Sequence, residues 1–107
     1  LSDDYPLEVG NFVTVGHGAV IHACVIEDEC LIGMNSTILD GARIGRQSIV
    51  AAGTVVPQGM QIPAGSLVAG VPATIRKALS PDRCLGLRKW AEKYLEVSKA
   101  HQALLNA

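Results

Sequence analysis

Between residues 9 and 73 an aliphatic side chain returns at every sixth position. Stepping by six from Ile26 gives Ile32, Ile38, Ile44, Val50, Val56, Ile62 and Val68. One five-residue step backwards reaches Ile21, and two further steps of six reach Val15 and Val9. All eleven positions are Ile or Val, where 19 such residues in a chain of 107 would supply about two by chance. The residue after each tends to be small (Gly10, Gly16, Gly33, Gly45, Ala51, Ala69). A second compact set follows four places on: Ala19, Cys30, Ser36, Ala42, Ser48, Thr54 and Ser66. Side chains alternate along a strand, so i and i+4 share a face while the chain turns a corner between repeats. The aliphatic fills an interior, and the small residue lets the next corner close. Three such sides make a triangular coil of about 18 residues, and successive coils stack about 4.8 Å apart through parallel hydrogen bonds. About three and a half coils give a prism about 17 Å tall with a dry β-branched column inside.

After Ala73 the six-residue step ends. Ser80-Pro81-Asp82 has the form of an N-cap, a proline at the first helical position and an early acid. Leu87, Trp90, Ala91, Tyr94, Leu95, Ser98, His101, Leu104 and Leu105 then recur at helical spacing. An amphipathic helix is expected over 80–106, lying along the prism and hiding one face, with Gly86 setting a late start or a kink. The pattern predicts an all-β solenoid, a parallel β-helix over 9–73 with a C-terminal α-helix packed on it. At this length a single domain over 1–107 is expected.

Composition removes several function classes. The net charge is −1 and there is no run of Lys or Arg, so nucleic-acid or anionic-membrane binding by bulk charge is not expected. No apolar stretch approaches the roughly 20 residues of a membrane span. Cys24, Cys30 and Cys84 are odd in number, without a CxxC pair or a signal-peptide pattern, and fit free thiols in a cytoplasmic, reducing compartment. The chain opens on Leu1 rather than Met, as a piece of a longer protein would.

His17 and His22 are the candidate chemistry. Taken singly, a histidine is most often packed or solvated. Both, however, stand where the repeat is shortened, and a break in a strict pattern often marks function. Histidine is also the common ligand of catalytic zinc. About 16 Å of extended contour around a corner separates the two, while ligand nitrogens must lie about 2.1 Å from the ion. One prism is thus a poor chelator. Prisms packed side by side could set His22 of one against His17 of the next, and a closed ring of three-sided prisms suggests a homotrimer.

Val13-Thr-Val-Gly-His-Gly-Ala-Val-Ile-His-Ala-Cys, Leu31-Ile-Gly-Met-Asn-Ser and Leu39-Asp-Gly-Ala together resemble the gamma-class carbonic anhydrases and their close homologues. Val68-Ala-Gly-Val-Pro-Ala and the helical Ala91-Glu-Lys-Tyr continue the likeness, although the Gly-Val-Pro-Ala ending is shared with hexapeptide acyltransferases. The resemblance implies a left-handed β-helix, a homotrimer, and zinc (or iron or cobalt) at each subunit interface. It implies hydration of CO2 to bicarbonate, with metal ligands matching His17 and His22 from different subunits and a pocket tyrosine matching Tyr94. The family's first metal histidine would fall 17 or 18 places before His22 or farther upstream; that window holds Asp3, Asp4 and Tyr5. Its acidic and Gln proton-transfer residues match nothing in the chain. Weak metal binding and little hydration activity are therefore expected of these residues alone, and an upstream histidine would restore both. The alternatives are an acyl-CoA-dependent transferase with a histidine base and a noncatalytic trimeric module. Cys24, two residues from His22, is either a redox-sensitive thiol or a small buried filler.

Overall fold

The computed structural model describes residues 6–106, with side chains described through Leu95. Eleven short strands wind as a parallel solenoid of about three turns. They are β1 (Glu8–Val9), β2 (Thr14–Val15), β3 (Val20–Ile21), β4 (Val25–Ile26), β5 (Leu31–Ile32), β6 (Thr37–Ile38), β7 (Arg43–Ile44), β8 (Ile49–Val50), β9 (Val55–Val56), β10 (Gln61–Ile62) and β11 (Ser66–Ala69). The periodic aliphatics end β1 to β10 and share one inward face, although Val9 and Val15 of the first coil stay exposed. Ile26, Ile32, Ile38, Ile44, Val50, Val56 and Val68 are fully buried. The three sides are the sheets β1-β4-β7-β10, β2-β5-β8-β11 and β3-β6-β9. Registers such as Val15↔Ile32 and Ile21↔Ile38 step by 17 residues, whereas Ile32↔Val50 and Ile26↔Ile44 step by 18. The five-residue repeat is absorbed as a coil one residue shorter.

Corners explain the small residues. At nine of the ten corners between β1 and β11 three residues separate the inward aliphatic from the next inward residue, the third in the left-handed backbone region with φ between 55° and 76°. Phe12, Glu29, Asn35 and Gln47 hold that position without being glycine, a conformation that disfavours L side chains. The first corner residue lies under the next coil. A Cβ on Gly33 would stand 2.5 Å from the backbone nitrogen of Ala52, and one on Gly45 would meet Ala64 in the same way. The tenth corner is the exception: only His22 and Ala23 separate Ile21 from Cys24.

Beyond the periodic segment the structure adds an element that the pattern does not show. β12 (Thr74–Ala78) turns back and pairs antiparallel with β11, Ala69↔Thr74 to Ser66↔Ala78. It is exposed throughout, so it needs no inward aliphatic and leaves no periodic trace. Its pairing covers the edge that β11 would otherwise present.

The helix α1 (Pro81–Asn106) begins at its proline, with Ser80 Oγ accepting the Arg83 N–H at 3.2 Å. It starts at Pro81 rather than at Gly86, and the expected hiding of its apolar stripe is only partial. Leu87 and Ala91 are buried, while Trp90, Tyr94 and Leu95 stay exposed. Its contacts run along the corner that follows β1, β4, β7 and β10. Cys84 Sγ lies 3.8 Å from the Gln47 carbonyl, and the Arg88 guanidinium stacks 4.3 Å over the Phe12 ring.

Two glycines should respond oppositely to alanine. A Cβ on Gly86 meets nothing within 4 Å, so Gly86→Ala should stabilise by up to about 1 kcal/mol. Gly33→Ala drives a methyl into the next coil and should destabilise by about 1–3 kcal/mol. Urea midpoints of the two variants against the parent check both signs. Ile38→Asp, which puts an unpaired charge into the fully buried column, should abolish the cooperative transition altogether.

Candidate functional site

The two-residue corner sets the geometry around His22. The His22 backbone N–H donates to the Ile38 carbonyl at 2.9 Å, holding it under the next coil. Ala23 donates its N–H to Asp40 Oδ1 at 3.3 Å, as Asn11 does to Asp28 Oδ1 at 2.8 Å on a full corner. The same oxygen lies 3.9 Å from His22 Nδ1. Asp40 stands in the corner after β6, 17 residues beyond Ala23, and so directly over the short turn. The imidazole is 39% exposed and the carboxylate 20%, so the ring has room to turn toward its neighbour.

His17 occupies the preceding corner, after β2, and is exposed. Its carbonyl accepts the Asn35 N–H at 2.9 Å, and Asn35 Oδ1 sits where a Cβ on Gly18 would have to be. The two histidines thus stand at opposite edges of one side of the prism, with β3 between them. The outward residues of that side are Val20, Thr37 and Val55, of which Val20 is exposed. The side of β2, β5, β8 and β11 turns out Thr14, Leu31, Ile49 and Leu67, all buried or half-buried. The side of β1, β4, β7 and β10 carries Glu8, Val25, Arg43 and Gln61, with Arg43 paired to Glu27 at 2.7 Å.

Among the described residues no group of three or more His, Cys, Asp or Glu is placed to hold a metal ion. One chain therefore offers two imidazoles on separate corners rather than an assembled site. Their chemistry fits two of the three histidine ligands that the resemblance implies: imidazole nitrogen donors, one of them with a carboxylate oxygen 3.9 Å away. Tyr94 sits exposed on α1, and no hydrogen bond or ion pair among the described residues ties it to His17 or His22. Asp3, Asp4 and Tyr5 lie outside the described residues, as does the side chain of His101. Asp40 is the residue that repeat counting passed over. Its signal was the 17-residue spacing from Ala23, visible only once the shortened coil is counted as a coil.

A family model described as bacterial transferase hexapeptide (six repeats) matches residues 23–58. Gamma carbonic anhydrase 2, mitochondrial, of Arabidopsis thaliana is 38% identical over 96 residues, which cover 90% of this chain and 34% of that protein. The chain is a gamma carbonic anhydrase-like hexapeptide-repeat protein. Carnitine operon protein CaiE of Escherichia coli K12 is 39% identical over 97 residues, 90% of this chain and 50% of CaiE. The chain thus spans about a third to a half of the length of these curated relatives. Among solved structures, a hexapeptide transferase family protein from Anaplasma phagocytophilum superposes with a TM-score of 0.79 at 32% identity. That match covers 86% of this chain and 60% of the other. No helix among the described residues is long and apolar enough to cross a membrane.

The thiols of this hexapeptide-repeat protein settle into packing. Cys24 and Cys30 are buried at the inward position two residues before an aliphatic, which favours the filler role for Cys24 over a reactive one. Burial is the main cause that pushes both thiols up to about 11; the Asp40 charge adds to it at Cys24. Cys30 also donates to the Gly45 carbonyl at 3.2 Å. At pH 8 iodoacetamide should therefore label the half-buried Cys84 first and spare the other two until the protein unfolds. Because the folded state keeps Cys30 protonated beyond the ordinary value of 9.0, its contribution is whole below pH 9. It is lost as the pH rises through about 11. Urea midpoints should fall across that window, and less steeply in Cys30→Ala.

Proposed function

We propose that the protein hydrates CO2 reversibly to bicarbonate at a metal ion shared between subunits of a homotrimer, with His17 of one chain and His22 of its neighbour as ligands. One observation carries this reading: the two imidazoles border a single side of the prism whose outward strand residues are Val20, Thr37 and Val55, apart from the corner where the helix packs. Packing such sides in a ring brings opposite edges of neighbouring prisms together, which folding of one chain does not do. The likeness to gamma carbonic anhydrases at 38% identity supports the same reaction. A bound zinc, iron or cobalt ion would supply Lewis acidity toward water and CO2. The chain's own part is to bind it through neutral imidazoles, to hold those rings on hydrogen-bonded corners, and to keep the approach dry with Val20 and its neighbours. Tyr94 is assigned to the pocket on the strength of the family resemblance. The free thiols support a cytoplasmic setting.

An acyl-CoA-dependent transfer is the second reading, favoured by the fold match to a hexapeptide transferase family protein at a TM-score of 0.79. There a histidine would act as general base in the groove between prisms.

Light scattering on the full-length protein should give three chains per particle, and elemental analysis should find metal in it. CO2 hydration should be visible with a stopped-flow pH indicator. His17→Ala and His22→Ala should each remove the metal, and Tyr94→Phe should slow turnover with metal retained. A monomer, or full metal occupancy in either histidine variant, overturns the shared site. Acyl-CoA turnover without hydration establishes the transferase reading instead.

A further inference from the structure

His22 has a carboxylate neighbour that His17 lacks among the described residues. One carboxylate oxygen, Asp40 Oδ1, accepts the Ala23 N–H at 3.3 Å and faces His22 Nδ1 at 3.9 Å. Arriving from the next coil, it is fixed by the same stacking that buries Ala23 and Cys24. That separation is longer than a hydrogen bond, and the half-exposed ring is free to turn toward the oxygen. A carboxylate can only accept, so the nitrogen facing it must carry the proton. The other nitrogen, Nε2, then bears the lone pair and points away from the carboxylate.

We propose that Asp40 is a positioning residue that holds His22 as the Nδ1–H tautomer and so presents Nε2 as the metal-binding nitrogen. The inference rests on the reading of His22 as a ligand. It adds that Asp40, by sharing one carboxylate oxygen between the Ala23 N–H and the imidazole, makes that histidine ready before any metal arrives. His17, on a full three-residue corner, has no ion-pair partner among the described residues.

The test uses the full-length protein. Long-range 1H–15N spectra of the metal-free form should show the His22 proton on Nδ1. In Asp40→Ala, which removes the acceptor oxygen, the signal should move toward the mixed tautomers of a free imidazole. Competition with a chromophoric chelator should find Zn2+ bound about 10- to 100-fold more weakly in that variant. Asp40→Glu, which keeps the charge, should recover part of the loss. A parent His22 protonated on Nε2 overturns the proposal, whether or not the variants fold. So does Asp40→Ala with unchanged tautomer and Zn2+ affinity while His22→Ala loses Zn2+, and that result leaves the metal reading standing. Unchanged Zn2+ affinity in His22→Ala overturns the metal reading itself and this inference with it.

Discussion

Each coil is tied to the next by parallel backbone hydrogen bonds, Thr37 N–H to Thr54 O at 2.8 Å and Leu39 N–H to Val56 O at 3.0 Å among them. The bonds fix a register in which every inward aliphatic stands on another. Two-residue strands have no stability of their own; they exist because three sides share one column and each side is paired above and below. The register is binary in its consequences. A slip of one residue would turn Ile38 outward and Thr37 inward, exposing an aliphatic and burying a hydroxyl. Close stacking then dictates what the corners accept: no Cβ at Gly33 or Gly45, and a left-handed third residue at nine of them.

That constraint is why so much of the fold was legible. An interior one side chain wide tolerates only Ile and Val at the inward position, so the spacing alone locates eleven strands. Legibility ends where the column ends. The antiparallel β12 packs no side chain inward and leaves no period. The helix keeps a helical stripe, but spacing cannot say how much of it is covered. Leu87 and Ala91 are buried while Trp90, Tyr94 and Leu95 are not. Phe12 in a left-handed corner is equally invisible in the pattern, as is the stacking of Arg88, seventy-six residues away, on its ring.

The site was legible in part, for a related reason. His17 and His22 drew notice because they sit where the six-residue step fails. What stands beside each imidazole could not be read from spacing, because the period says nothing of side-chain contacts between coils. The Ala23 N–H meets the Asp40 carboxylate as the Asn11 N–H meets Asp28 on a full corner, and at the short corner an imidazole stands beside it. The sequence Leu39-Asp-Gly-Ala held that aspartate in plain view, yet only the 17-residue coil shows what lies beneath it.

A solenoid of this kind is a rigid but convex object. Its corners fix side chains through backbone hydrogen bonds on both sides, which favours a small number of well-held donors. Convexity works the other way: adjacent corners of a triangle diverge, so donors held that firmly cannot swing together within one chain. Chemistry that needs several ligands at one point must then be gathered across a boundary. Val20 and Trp90 remain exposed in the single chain, at the places where a neighbouring prism could still bury surface. For the proposed site, rigidity and sharing are thus one property: the corner that orients His22 is also the reason that His17 must come from another subunit.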